Sequence, residues 1–287
     1  MTPTGPRRAS ATRAARASHT EPSPLGAIPP FVLVPAAVAV LVLLLPLVAL
    51  VARVDWATLP ADLTAPATLE ALWLSLTTGA IATGCCLVLG VPLAVVIARA
   101  TPRVAGWLRA LVTVPLVLPP MVGGIALLFL LGRTGLVGQS LDAWFGLRLP
   151  FTTAAVVIAQ TFVALPFLVL SVEGTVRASG IGYERVAATL GASRWTTFRR
   201  VTLPLAAPGL VAGTVLCFAR AIGEFGATAL FAGNAAGTTR TMPLAIYTAF
   251  NGAGVGQGTA VALSLLLLVV AIAILVLVRG WRPGSAS

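Results

Sequence analysis

The sequence predicts an all-α integral membrane protein with about six transmembrane helices. Three observations carry that expectation. Of 287 residues, 58% are hydrophobic and only 9% charged, whereas roughly a quarter of a soluble globular domain is charged. Six apolar runs, at 31–51, 72–98, 108–131, 151–172, 205–231 and 261–278, reach the roughly 20 residues that a helix needs to cross the hydrocarbon core. The connections between the runs also alternate in charge.

The tail at 1–30 carries Arg7, Arg8, Arg13 and Arg16 against Glu21 alone and reads as a disordered segment. The second connection holds Arg99, Arg103 and Arg109. The fourth holds Arg177, Arg185, Arg194, Arg199 and Arg200 against Glu173 and Glu184, and the C-terminal segment at 279–287 holds Arg279 and Arg282. By contrast, the first connection sets Arg53 against Asp55, Asp62 and Glu70, the third sets Arg133 and Arg148 against Asp142, and the fifth has only Arg240. Because arginine is retained on the cytoplasmic side, this alternation predicts that both termini lie inside and that connections one, three and five lie outside. The expected organisation is therefore a cytoplasmic tail, a first helix with its outer loop at 31–71, a transmembrane domain at 72–278 with a cytoplasmic loop at 173–204, and a C-terminal cytoplasmic tail.

Within the spans, small residues and helix breakers recur. Gly79, Thr83, Gly84, Gly90 and Pro92 mark the second, Pro115, Pro119, Pro120, Gly123 and Gly124 the third, and Pro166 the fourth. Small residues let helices approach closely in lipid, and freed backbone groups are tolerated there only when protein or a water-lined path satisfies them. Two readings stay open: ordinary close packing, or a third span that bends beside a pathway at Pro119, Pro120 and Gly123. In the third connection, Leu136, Leu141, Trp144, Phe145 and Leu147 mix with polar residues, as in a segment lying along the outer interface. In the fifth, an apolar segment at 242–250 between glycine-rich flanks predicts a short surface or re-entrant helix.

Several function classes are excluded by residue type. All 19 basic residues are arginine, so neither a phosphate-loop lysine nor a Schiff-base nucleophile is available. The single histidine, His19, sits in the tail, while Cys85, Cys86 and Cys217 lie in apolar runs as small hydrophobic residues. No catalytic residue, metal site or cofactor is expected. The net charge of +11 is a statement about membrane orientation, with no nucleic-acid partner implied.

Chemistry concentrates in two places. In the fifth span, Arg220 and Glu224 stand one helical turn apart near mid-membrane. Each such charge costs about 2.5 to 3.5 kcal/mol at a helix centre, so ionisable residues there face protein or water. The pair either neutralises itself and fixes helix packing, or Arg220 supplies positive potential along an anion path with Glu224 orienting it.

The second place is the polar stretch at 182–204, GYERVAATLGASRWTTFRRVTLP. It has the residues of a short helix, a turn at Gly191 and a second short helix ended by Pro204. Glu184, Ala187, Ala188, Gly191, Val201, Leu203 and Pro204 closely resemble the EAA signature of permease subunits of ABC importers. Arg185 and Val186 separate the acid from the alanines, so Gly191 aligns more securely than Glu184. Downstream, FARAIGEFGATALFAGN and TRTMPLAIYTAF resemble molybdate-type permeases, with sulfate permeases as nearest relatives, and the likeness spans about residues 72–278. The resemblance implies a type I importer fold in which Glu184, Ala187, Ala188, Gly191, Leu203 and Pro204 dock on cytoplasmic ABC ATPase subunits. It further implies a homodimer of permease copies in the lipid bilayer, and an external solute-binding protein that delivers molybdate or a similar tetrahedral oxyanion.

Overall fold

A computed structural model describes residues 29–252 and 257–279. The expected C-terminal tail beyond residue 279 and nearly all of the N-terminal tail lie outside the described residues. The chain divides into two units, after Ala49. Helix α1, Pro30–Ala52, runs across that division and contains Pro35 and Pro46. Its large apolar side chains from Phe31 to Val48 are exposed.

The second unit is a helical bundle. Its elements are α2 (Leu59–Thr64), α3 (Pro66–Arg99), α4 (Pro102–Val117), α5 (Pro120–Leu131), α6 (Gly138–Phe145), α7 (Thr153–Ala178), α8 (Gly182–Thr189) and α9 (Arg194–Thr197), then a π-helical turn (Phe198–Thr202). There follow α10 (Leu203–Leu205), α11 (Ala207–Ile222), α12 (Gly226–Phe231), α13 (Met242–Asn251) and α14 (Gln257–Arg279). No strand occurs among the described residues. Prolines open α3, α4 and α5, where a missing N–H costs nothing and φ is already helical.

Helix α7 is the central post, packed by α3 and α11. Along α3, Ala82, Cys86, Gly90, Ala94 and Ile97 are buried at helical spacing. Lipid gives apolar helices no drive to associate, so these small side chains hold the bundle by close contact. The approach is tightest where α11 meets α7. A Cβ at Gly209 would lie 2.1 Å from Thr175 Oγ1 and 2.7 Å from Ser171 O, and Ser171 Oγ donates to Gly209 O at 2.8 Å.

Four helices are long and apolar enough to cross a membrane by themselves: Phe31–Ala52, Pro66–Arg99, Thr153–Ala178 and Gln257–Val276. The count reaches six when two bent pairs are each taken as one span. The run expected at 108–131 is broken between α4 and α5 by 110°, because Pro119 and Pro120 cannot continue the hydrogen-bond ladder. The run expected at 205–231 is likewise discontinuous: a 69° bend precedes α11, and α11 stops at Ile222 before α12 begins. Pro204 does not end the second helix of the polar stretch. The π-turn bonds Leu203 N–H back to Phe198 O, and Pro204 enters the first turn of α10. The helix expected at 242–250 is present as α13, which buries Met242, Leu244, Ala245 and Ala249, and the third connection also holds a helix, α6.

Candidate functional site

The break between α11 and α12 is built around one carboxylate. Glu224 is only 1% exposed. Its Oε2 lies 2.6 Å from Arg220 Nη2, one turn back on α11, and its Oε1 accepts the Ala227 N–H at 2.8 Å. The first turn of a helix has N–H groups without intrahelical partners. Glu224 satisfies one of them, and so ties the end of α11 to the start of α12. The Arg220 side chain is about a quarter exposed.

Beside this break stands the other one. The first turns of α5 and α12 touch: a Cβ at Gly226 would be 3.0 Å from Pro120 Cβ, and a Cβ at Gly124 would be 2.8 Å from Ala227 O. Of the expected path residues, Pro120 is therefore brought to the Arg220–Glu224 pair through Gly226. Gly123 instead faces the Phe162 ring of α7, 3.0 Å from its notional Cβ, and Pro119 is the exposed residue capping α5. A cavity of about 420 Å³ adjoins the α11–α12 break, walled by Gly223, Phe225, Pro243, Ile246, Tyr247 and Phe250. The Phe225 and Tyr247 rings lie 5.1 Å apart.

The polar stretch forms a second constellation where α3 and α7 end. Glu184 points into the chain: Arg99 Nη2 donates to its Oε1 at 2.7 Å, as does Thr202 Oγ1 at 2.7 Å. Arg99 Nη2 also donates to Gly180 O at 3.1 Å. Glu184 thus ties α8 to the last turn of α3 and to the π-turn. Gly191 has φ +80° with open space where a Cβ would be, the left-handed turn that glycine adopts freely. Ser193 caps α9 by accepting the Thr196 N–H at 3.2 Å. Ala188 and Pro204 are exposed, and Ala187 and Leu203 half-buried.

A model of the family described as binding-protein-dependent transport system inner membrane component matches residues 90–283. The chain belongs to that family. Among curated relatives, the permease is 54% identical over 220 residues to the molybdenum transport system permease protein ModB of Mycobacterium tuberculosis, covering 77% of this chain and 83% of that one. It is 40% identical over 179 residues to ModB of Escherichia coli K12, covering 62% and 78%. A probable molybdenum ABC transporter permease of Haloferax volcanii is 40% identical over 222 residues, covering 77% and 78%. Among solved structures, the permease matches a chain of a bacterial alginate ABC transporter with TM-score 0.65 and 19% identity, over 86% of this chain and 91% of that one. A chain of the MetNI methionine ABC transporter matches with TM-score 0.57 and 18% identity, over 74% and 94%. The permease is a multi-pass membrane protein with the type I importer permease fold.

The alanines of the polar stretch stand out in the sequence, but its large exposed apolar side chains do not. Tyr183, Val186, Leu190 and Trp195 are exposed, Leu190 by 82%, and α8 buries no residue at all. All four lie within the polar stretch at 182–204. Their signal was present as large apolar residues interleaved with the arginines. Gly124 is not among the expected path residues, yet its notional Cβ lies 2.8 Å from Ala227 O of α12.

Proposed function

We propose that this permease forms the membrane pathway of an ATP-driven importer of molybdate or a similar tetrahedral oxyanion. It works as a homodimer with cytoplasmic ABC ATPase subunits and an external solute-binding protein. The 54% identity to ModB of Mycobacterium tuberculosis over 220 residues carries this reading. The charge alternation supports the orientation, with both termini and the α8–α11 connection in the cytoplasm.

In this reading, the exposed face of α8 and α9 docks on the ATPase. Tyr183, Leu190 and Trp195 supply the large apolar anchors that interfaces favour, and Ala187 and Ala188 allow close approach. Gly191 sets the angle between the two short helices. Glu184 acts one step back, holding α8 on Arg99 and Thr202. Leu203 and Pro204 lead into α11, whose far end carries the Arg220–Glu224 pair. Arg220, Glu224, Pro119, Pro120 and Gly123 belong to the region that opens and closes the path, and Arg220 offers the positive charge. The chain itself carries out no covalent step; ATP hydrolysis belongs to the partner.

The deciding experiment is ATP hydrolysis by the reconstituted complex with its binding protein, titrated with molybdate, tungstate and sulfate. Stimulation by molybdate at the lowest concentration is expected. Stimulation by sulfate alone would reassign the substrate, and stimulation by none of the three would refute the oxyanion reading.

A further inference from the structure

A separate cavity of about 400 Å³ opens where α3 and α7 end and α4 begins, with Arg99, Arg109 and Arg177 in its wall beside Ala98, Pro102 and Ile181. Arg99 is the last residue of α3, and Arg177 lies in the last turn of α7. Arg99 directly follows the apolar run at 72–98 and Arg177 lies just beyond the one at 151–172, so both stand past the apolar length that the hydrocarbon core takes up.

The three guanidiniums share two carboxylates. Arg109 donates to both oxygens of buried Glu173, and Arg177 Nη1 reaches the same Glu173 only at 3.4 Å. Arg99 is bonded to Glu184, while its buried Nε has no partner. Arg99 Nη2 also spends a bond on Gly180 O, but each guanidinium carries five N–H donors, so most donors of the more exposed Arg109 and Arg177 are unspent, and one positive charge is left over. Next to the cavity, α4 buries Ala105 and Val112 and exposes Val104, Trp107 and Leu111, Trp107 by 80%. That exposed apolar stripe suits contact with lipid, and tryptophan is favoured near the headgroups.

We propose that this cavity binds a phosphate oxyanion, the group carried by anionic phospholipid headgroups and by free inorganic phosphate. Planar guanidiniums suit a phosphate by paired N–H···O bonds. Basic pockets between helices at the membrane surface take lipid headgroups, and the apolar stripe of α4 offers the acyl chains a place to lie. The site is independent of the transport reading.

Native mass spectrometry of the full-length permease in neutral detergent tests the site, with short-chain phosphatidylglycerol, short-chain phosphatidylcholine and inorganic phosphate as probes. Phosphatidylglycerol should bind and phosphatidylcholine should not. Arg177→Gln should weaken binding about tenfold, the worth of one charge-assisted hydrogen bond, and Arg177→Lys should weaken it less. Ile181→Glu, at a position 40% exposed and thus undemanding for folding, should weaken binding through repulsion. Binding of inorganic phosphate with the same dependence on Arg177, without phosphatidylglycerol binding, would assign the site to the free anion. The proposal falls if neither anion binds, if the two lipids bind alike, or if Arg177→Gln and Ile181→Glu both bind like the wild type.

Discussion

Replacing either member of the Arg220–Glu224 pair should have unequal consequences, because the two residues are unequally buried. Arg220→Gln leaves a carboxylate that is 1% exposed, held only by the Ala227 N–H at 2.8 Å. Breaking a buried pair in this way costs about 3–5 kcal/mol. Glu224→Gln removes the charge but keeps an oxygen to accept from Ala227. It leaves Arg220, already 25% exposed, able to turn its head outward, so the cost is about 1–2 kcal/mol. The double variant strands no charge, and its cost should fall short of the sum by about 1–3 kcal/mol. Unfolding of the purified permease in detergent would measure all three, alongside oxyanion uptake by reconstituted vesicles. Equal destabilisation by the two single variants, or simple additivity in the double, would refute this account of the break. Uptake should stay low in the double variant although its stability recovers, since the positive charge is gone; normal uptake would remove Arg220 from the path.

Gly191→Val should impair coupling of ATP hydrolysis to transport while Gly191→Asn largely preserves it. No neighbour blocks a Cβ at this position and φ is +80°, so the cost is a backbone strain of about 1–2 kcal/mol that asparagine tolerates; ATPase rate and uptake measured together would check this. Gly209→Ala should lower the thermal midpoint by the equivalent of about 1–3 kcal/mol. Adding Thr175→Ala should restore only part of the loss, because Ser171 O remains 2.7 Å from the new Cβ. Trp195→Ala with Leu190→Ala should reduce co-purification of the ATPase subunits without shifting the midpoint of the isolated permease, since both residues are exposed. Arg99→Gln should loosen α8, seen as faster amide exchange at 182–189, because Glu184 then keeps only Thr202.

Composition and run length were enough to reveal an all-helical membrane chain, because lipid permits few alternatives to an internally bonded helix. The bend at Pro119–Pro120 was one of two readings the sequence left open; proline removes a donor wherever it stands, but close packing was an equal account of the small residues beside it. The break at 223–225 was not legible. Gly223 is unremarkable in an apolar run, and Glu224 looks like the second half of an intrahelical pair until its other oxygen is seen capping α12. Pro204 misled for a related reason: a π-turn can absorb a proline that would end an α-helix, and sequence periodicity does not register one inserted residue. In the polar stretch, Gly191 was read correctly as the turn. The inward direction of Glu184 depends on Arg99, 85 residues away, and no local pattern encodes it.

The carboxylate at the α11–α12 break has a mechanical consequence. From Ala207 to Ile222, α11 is a rod about 24 Å long, rooted in the segment that carries Gly191 and tipped by Arg220. A tilt of about 5° at its root displaces the tip by about 2 Å, taking 1.5 Å of rise per residue for the length. Left alone, Gly223 would act as a loose joint and dissipate that stroke. Glu224, bonded across it to Arg220 and to the Ala227 N–H, would instead pass such a displacement to α12 and on to the first turn of α5, where a Cβ at Gly124 would be only 2.8 Å from Ala227 O.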